Sequence, residues 1–232
     1  MNLAQSYPAS AAPEDEAAAW EVDGEGNRWF LDPIFRGAYP ADLLERNATV
    51  APFVRDGDLT AMAAPLDFLG VNNYFRFVVS AGVAGPRLVR DPEAEQTDMG
   101  WEVFPDGLHR LLGRLAEDYA PAAIYVTENG AAFGDVRGHD GRVHDPERTA
   151  YLESHIDAVA RAVADGVPVK GYFVWSLLDN FEWAHGYSKR FGIVYIDYPT
   201  LERVPKDSFY WYRDLLASRR GAPRPPSPIA AA

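Results

Sequence analysis

Two apolar runs that end in polar and aromatic side chains place the tightest limits on how this chain can fold. Residues 124 to 130, Ile-Tyr-Val-Thr-Glu128-Asn-Gly, carry one carboxylate to the end of a β-branched run that breaks at Asn129-Gly130. Residues 171 to 183, Gly-Tyr-Phe-Val-Trp175-Ser-Leu-Leu-Asp-Asn180-Phe-Glu182-Trp183, repeat that build. A strand buried on both faces of a parallel sheet reads as such a run, and α/β barrels keep their chemistry in the loops beyond the C-terminal strand ends. A glutamate at a strand end is ordinary when it stands alone. Paired with a second, aromatic-rich strand end, it becomes a candidate site.

The segments around these runs alternate between strand and helix. Leu66 to Tyr74 is a third apolar run, closing on Asn72, Asn73 and Tyr74. Leu108, Leu111, Leu112 and Leu115 mark one face of a helix that Pro121 stops. Asp145-Pro146 supplies an N-cap and a first-turn proline for a second helix, whose apolar face is expected at Leu152, Ile156, Val159 and Val163. A strand over Val169 to Ser176, a hairpin over Phe191 to Tyr198 and a last helix from Lys206 complete the pattern. Upstream, residues 4 to 62 read as loop and helix. Alternating strand and helix predict an α/β fold with a parallel sheet. A closed barrel needs eight strands in about 250 residues. Three core strands and a stub at Met1-Asn-Leu fit half a barrel better. One unit over 1–220 and a disordered Pro/Ala-rich tail over 221–232 are expected.

Composition excludes several functions. A net charge of −12 over 232 residues argues against nucleic-acid or anionic-membrane partners. With no cysteine, disulfides, thiolate metal sites and cysteine nucleophiles drop out. The five histidines show no metal-ligand spacing, Asp23-Gly-Glu-Gly follows no strand, and no cofactor is implied. Residues 1 to 20 show no signal peptide, and no apolar run nears the roughly 18 residues of a membrane span, so a cytoplasmic protein is expected.

The Thr-Glu128-Asn-Gly and Trp175-Ser-Leu-Leu-Asp-Asn-Phe-Glu182-Trp183 segments resemble the C-terminal part of family 1 glycoside hydrolases, the retaining β-glucosidases. Tyr7-Pro-Ala-Ser and Arg203-Val-Pro-Lys-Asp-Ser-Phe-Tyr-Trp-Tyr extend the resemblance over nearly the whole chain. It implies the C-terminal half of a (β/α)8 TIM barrel, from the end of the fifth strand through the eighth helix. Met1 then reads as an internal methionine used as a start, or as an artefact of truncation.

The resemblance implies Glu128 as nucleophile, with Tyr74 and Asn72, of the pattern Gly-x-Asn-x-Tyr, beside it. Asn73 departs from the tyrosine that relatives often carry. Glu182 and Trp183 would form the floor of the site for the non-reducing (glycone) sugar, and Trp175 would add an indole donor or stacking surface. Trp101 matches a platform for the leaving-group sugar, and Phe191 a wall near the glycone's O6. A glutamate at 182 would repel a phosphate, so an unphosphorylated β-glucoside or oligosaccharide is the expected substrate. The family's Asn-Glu-Pro motif, with its acid/base glutamate, is nowhere in these 232 residues. The open edges of a half-barrel imply a partner, either a separate N-terminal half or a second copy. The rival readings are a non-catalytic carbohydrate-binding or interaction half-barrel and an inactive gene fragment.

Overall fold

The computed structural model describes residues 1–219, so the tail over 221–232 lies outside the described residues. The chain runs β1 (Ser6–Pro8), α1 (Pro13–Asp23), a π-helical turn (Gly24–Arg28), α2 (Trp29–Arg36), α3 (Ala41–Arg46), α4 (Asp58–Met62) and β2 (Leu69–Asn72). It continues through β3 (Phe77–Ser80), β4 (Arg87–Val89), α5 (Pro105–Tyr119), β5 (Ile124–Asn129), α6 (Pro146–Ala164) and β6 (Val169–Val174). A hairpin of β7 (Val194–Asp197) and β8 (Glu202–Pro205) precedes α7 (Asp207–Arg219).

The three expected core strands form one parallel sheet in the order β2-β5-β6. Met1 to Leu3 adds the expected stub: Asn2 bridges Asn72 in parallel, and Leu3 N–H donates to the Asn72 carbonyl at 2.9 Å. Along β2, Val71 faces Val126 but Asn72 faces Glu128, so the register slips by one residue at Thr127. Such irregularities re-aim side chains at strand ends. Here the slip falls on the glutamate. Among the described residues β6 pairs only with β5, and Phe173 on β6 is more than half exposed.

Leu108, Leu111, Leu112 and Leu115 of α5 are each at most 1% exposed and pack with Val71, Ile124, Val126 and Val159. Truncating one such leucine to alanine costs about 2–5 kcal/mol. The helix ends at Ala120 in the left-handed region, φ +44°, one residue before Pro121.

Three expectations need correction. The buried face of α6 is Arg148, Tyr151, Leu152, His155, Ala158, Val159 and Ala162, whereas Ile156 is half-buried and Val163 exposed. Two polar residues lie on that face because each finds a partner inside, so apolar spacing alone mislocates it. Asp145 and Pro146 take the expected N-cap and first-turn positions of α6, but the Asp145 side chain makes no capping hydrogen bond there. Its carboxylate accepts from Arg148 at 2.5 Å and from the N–H and hydroxyl of Ser208 at 2.8 and 2.6 Å, serving the start of α7 instead. The hairpin is displaced too: residues 194–197 are only its first arm, and Glu202–Pro205 is the second. The turn between them is closed by Leu201 N–H on the Asp197 carbonyl at 2.6 Å. The second arm is half-exposed and charged, so it carries no alternation to find.

A side sheet, β1-β3-β4, was also not anticipated, because its strands are only three or four residues long. No described helix is long and apolar enough to cross a membrane.

Candidate active site

At the C-terminal ends of the parallel strands lies a cavity of about 600 Å³. All eight residues singled out from sequence line it: Glu128, Tyr74 and Asn72, then Trp175, Glu182 and Trp183, then Trp101 and Phe191. They come from four separate stretches of chain. The fold brings them to one place.

β5 delivers Glu128. Directly after it, Asn129 is fully buried and ties the strand end down, donating to the Asn73 carbonyl at 2.8 Å and accepting from Tyr172 Oη at 2.6 Å. Gly130 is required by close approach, since a Cβ there would fall 1.9 Å from the Trp175 carbonyl oxygen. The Asn-Gly break is therefore the point where the two strand ends touch.

Tyr74 Oη donates to Glu128 Oε2 at 2.6 Å. Burial, and then the hydrogen bond to Glu128, push the phenol well above its ordinary range, so it remains a donor. Asn72 Oδ1 accepts from Thr127 Oγ1 at 2.6 Å, which directs the amide's donor end away from Thr127. Asn73, the departure from the tyrosine pattern, is buried and donates to the Leu3 carbonyl at 2.8 Å, holding the stub against β2.

Glu182 is half-buried. Burial raises its pKa, His185 opposes the rise, and the Glu128 charge adds to it. Trp183 stands at φ +39° and is 82% exposed, so its indole is an uncovered surface at the cavity wall. Asn180 fixes this loop by donating to Ser176 Oγ at 3.0 Å and the Leu178 carbonyl at 3.1 Å. Phe191 is 2% exposed and meets Tyr74 edge-on, with ring centroids 6.0 Å apart. Trp101 packs on Phe75 at 5.0 Å and Tyr74 at 5.4 Å. Both aromatics therefore buttress Tyr74 as well as lining the cavity.

Beneath the site runs a charge network that sequence spacing did not disclose. Lys206, fully buried, contacts Asp135 at 2.5 Å and Asp179 at 2.9 Å. Arg148 contacts Asp135 and Asp145, and Arg190 contacts Asp179 at 2.6 Å. Three cations thus face three carboxylates. Asp179 also accepts from Gly192 N–H at 3.0 Å, beside Phe191. The network joins the loop after Glu128 to the loop carrying Glu182 and Trp183.

Asn2, Gly26, Asn27 and Phe75 also line the cavity and were missed as site residues. Asn2 carried a signal, as the polar end of an apolar stub; Gly26 and Asn27 carried none. Among the described residues no group of acidic or histidine side chains could hold a metal ion.

The chain matches the model of the family described as Glycosyl hydrolase family 1 over residues 1–221. A 1,4-beta-D-glucan glucohydrolase of Thermotoga neapolitana is 48% identical over 212 residues, covering 90% of this chain and 48% of that protein. A bifunctional beta-D-glucosidase/beta-D-fucosidase of Bifidobacterium breve is 44% identical, covering 88% and 49%. Among solved structures, a family 1 β-glucosidase from Thermotoga maritima in complex with isofagomine lactam superposes with a TM-score of 0.89 at 45% identity, covering 94% of this chain and 50% of that one. The family 1 β-glucosidase of Exiguobacterium antarcticum B7 gives a TM-score of 0.92 at 40% identity, covering 96% and 51%. The chain spans about half the length of the curated relatives it matches. Match length, identity and superposition agree: this chain belongs to glycosyl hydrolase family 1.

Proposed function

We propose that residues 1–220 form the C-terminal half of a (β/α)8 barrel and supply the nucleophile and glycone site of a retaining β-glucosidase. The observation that carries this reading is the 2.6 Å bond from Tyr74 to Glu128, inside a cavity that also holds Trp175, Glu182 and Trp183. Retaining hydrolysis requires an aimed carboxylate nucleophile, and the phenol aims one. In this mechanism Glu128 attacks the anomeric carbon, the bond to the leaving oxygen breaks, and a glycosyl ester forms that water then hydrolyses. Asn72 and Glu182 bind glycone hydroxyls. Trp183 stacks beneath the ring, Trp175 adds an indole donor, Phe191 walls the far side and Trp101 meets the leaving group.

The second carboxyl of such enzymes, about 5–5.5 Å from the first, protonates the leaving oxygen. Within these 232 residues no Asn-Glu-Pro motif offers it, and Glu182 belongs to the glycone side. General-acid assistance is worth about 10²–10⁴-fold, so good leaving groups are favoured. A separate N-terminal half, or a second copy, would cover the open edge of β6. A net charge of −12 argues against nucleic-acid or anionic-membrane partners.

The test is release of dinitrophenolate from 2,4-dinitrophenyl β-D-glucoside, measured in the first seconds and at steady state. A burst approaching one equivalent per chain, followed by slow turnover, is expected. No release above the solvent rate at saturating substrate would contradict nucleophilic function. Glucoside binding without release would favour the carbohydrate-binding rival, to which the exposed Trp183 platform is equally suited.

A further inference from the structure

We propose that Asp179 is a positioning residue of the glycone site: its buried carboxylate holds Phe191 and the Glu182–Trp183 turn at a fixed spacing without touching the sugar. This rests on the glycone reading above. Asp179 is 4% exposed and does not line the cavity. The segments it grips do line it, through Phe191 on one side and through Glu182, three residues further along the chain, on the other.

Both carboxylate oxygens are fully engaged. Oδ1 accepts from Lys206 Nζ at 2.9 Å and from Gly192 N–H at 3.0 Å. Oδ2 accepts from Arg190 Nη1 at 2.6 Å and from Ile196 N–H at 3.3 Å. Two of these donors, Arg190 and Gly192, are the residues on either side of Phe191, so one carboxylate brackets it from both flanks. The Phe191 carbonyl accepts from Ser176 N–H at 3.1 Å. A Cβ on Gly192 would fall 2.2 Å from the Asp179 nitrogen, so the two segments touch along their backbones. The next residue after Asp179 is held as well. The Asn180 carbonyl accepts from Tyr198 Oη at 3.4 Å, and the Arg190 guanidinium lies 4.7 Å over the Tyr198 ring. The turn bearing Glu182 and Trp183 thus starts from a point anchored by the same arginine.

Stability alone does not call for an ionised group here. Replacing a buried ion pair by apolar side chains of similar volume is often neutral or stabilising, because desolvation offsets the attraction. What the carboxylate supplies, and an apolar side chain does not, is direction. Four donors converge on its two oxygens, and each ties down a different stretch of chain. Lys206 carries the anchoring on to Asp135, in the loop after Glu128. The spacing of the Phe191 wall from the Glu182 turn is therefore set from beneath the cavity. Binding groups need to be held to within about 0.5 Å, which supporting hydrogen bonds of this kind provide.

The test is Asp179→Asn in the full chain, which keeps the shape but sets an amide NH2 against two of the four donors. Titration calorimetry with methyl β-D-glucoside gives the affinity of the folded molecules, while their fraction appears separately in the stoichiometry. The dinitrophenolate burst at saturating 2,4-dinitrophenyl β-D-glucoside reports on Glu128, which makes no contact with Asp179. Glucoside affinity is expected to fall about tenfold, the worth of roughly one hydrogen bond. The saturated burst rate is expected to stay within about threefold of the unmodified chain. Arg190→Gln leaves the Lys206 and Gly192 contacts in place, so it is expected to weaken affinity by about threefold, and it decides the matter should Asp179→Asn not fold. Unchanged affinity in a folded variant would overturn the proposal and leave the network a purely structural role. So would a burst rate falling by the same factor as the affinity, since the effect would then run through the nucleophile. Failure of the unmodified chain to bind the glucoside or to give a burst would instead overturn the glycone reading, and this inference with it.

Discussion

Tyr74 Oη lies 2.6 Å from Glu128 Oε2, joining two residues 54 positions apart at the ends of directly paired strands. The bond depends on the one-residue slip at Thr127, which brings Glu128 level with Asn72. Tyr74→Phe removes the donor and leaves the aromatic packing on Trp101 and Phe191. A hydrogen bond to a charged group is worth about 1.5–3 kcal/mol, so the dinitrophenolate burst should slow about 10- to 100-fold. A burst within twofold of the unmodified chain would show that the phenol does not aim the nucleophile.

Lys206 is the fully buried hinge of the charge network. Lys206→Met leaves Asp135 and Asp179 with one arginine each. Breaking a buried pair costs about 3–5 kcal/mol, and the remaining arginines put this case near the lower end. Urea unfolding at constant m-value should register a loss of about 3 kcal/mol. A loss below about 1 kcal/mol would mean that the arginines already suffice.

His155 predicts an acid-side weakness. It is buried, donates from Nδ1 to the Tyr151 carbonyl at 2.8 Å and stacks on the Tyr151 ring at 3.8 Å. Burial lowers its pKa from 6.5 to about 4. The unfolded chain then binds more protons between those values, so stability falls as pH drops from about 6.5 to about 4, by roughly 3 kcal/mol in all. His155→Phe should flatten that part of the stability profile. Equal slopes in both proteins would contradict the assignment.

Glu182 predicts a pH dependence of binding. Burial raises its pKa, so it loses its charge at a higher pH than an ordinary glutamate. Affinity for methyl β-D-glucoside should therefore weaken with acidification, earlier than ordinary carboxylate titration would produce. Glu182→Gln should bind more weakly and without that dependence. An unchanged pH profile in the variant would move the titration to another group.

The site was legible in sequence where strand ends carry chemistry. Glu128, Tyr74 and the Trp175–Trp183 segment sit where apolar runs stop, and the family resemblance of those run ends supplied the roles expected of them. The α5 leucines were legible as a face with one period. Asn27 and Lys206 were not, because their importance comes from partners 23, 27 and 71 residues away. The buried face of α6 was misplaced because Arg148 and His155 occupy core positions that a hydrophobic pattern assigns to solvent. Glu202–Pro205 escaped because a partly exposed strand of charged residues has no alternation to read.

The most direct test of the account is mapping the site of covalent labelling by 2-deoxy-2-fluoro-β-D-glucosyl fluoride, by peptide mass spectrometry of the full chain. The account predicts one fluoroglucosyl unit per chain, on Glu128, and none on Glu128→Gln. Absence of label from the unmodified chain, or its appearance on Glu182, would contradict it.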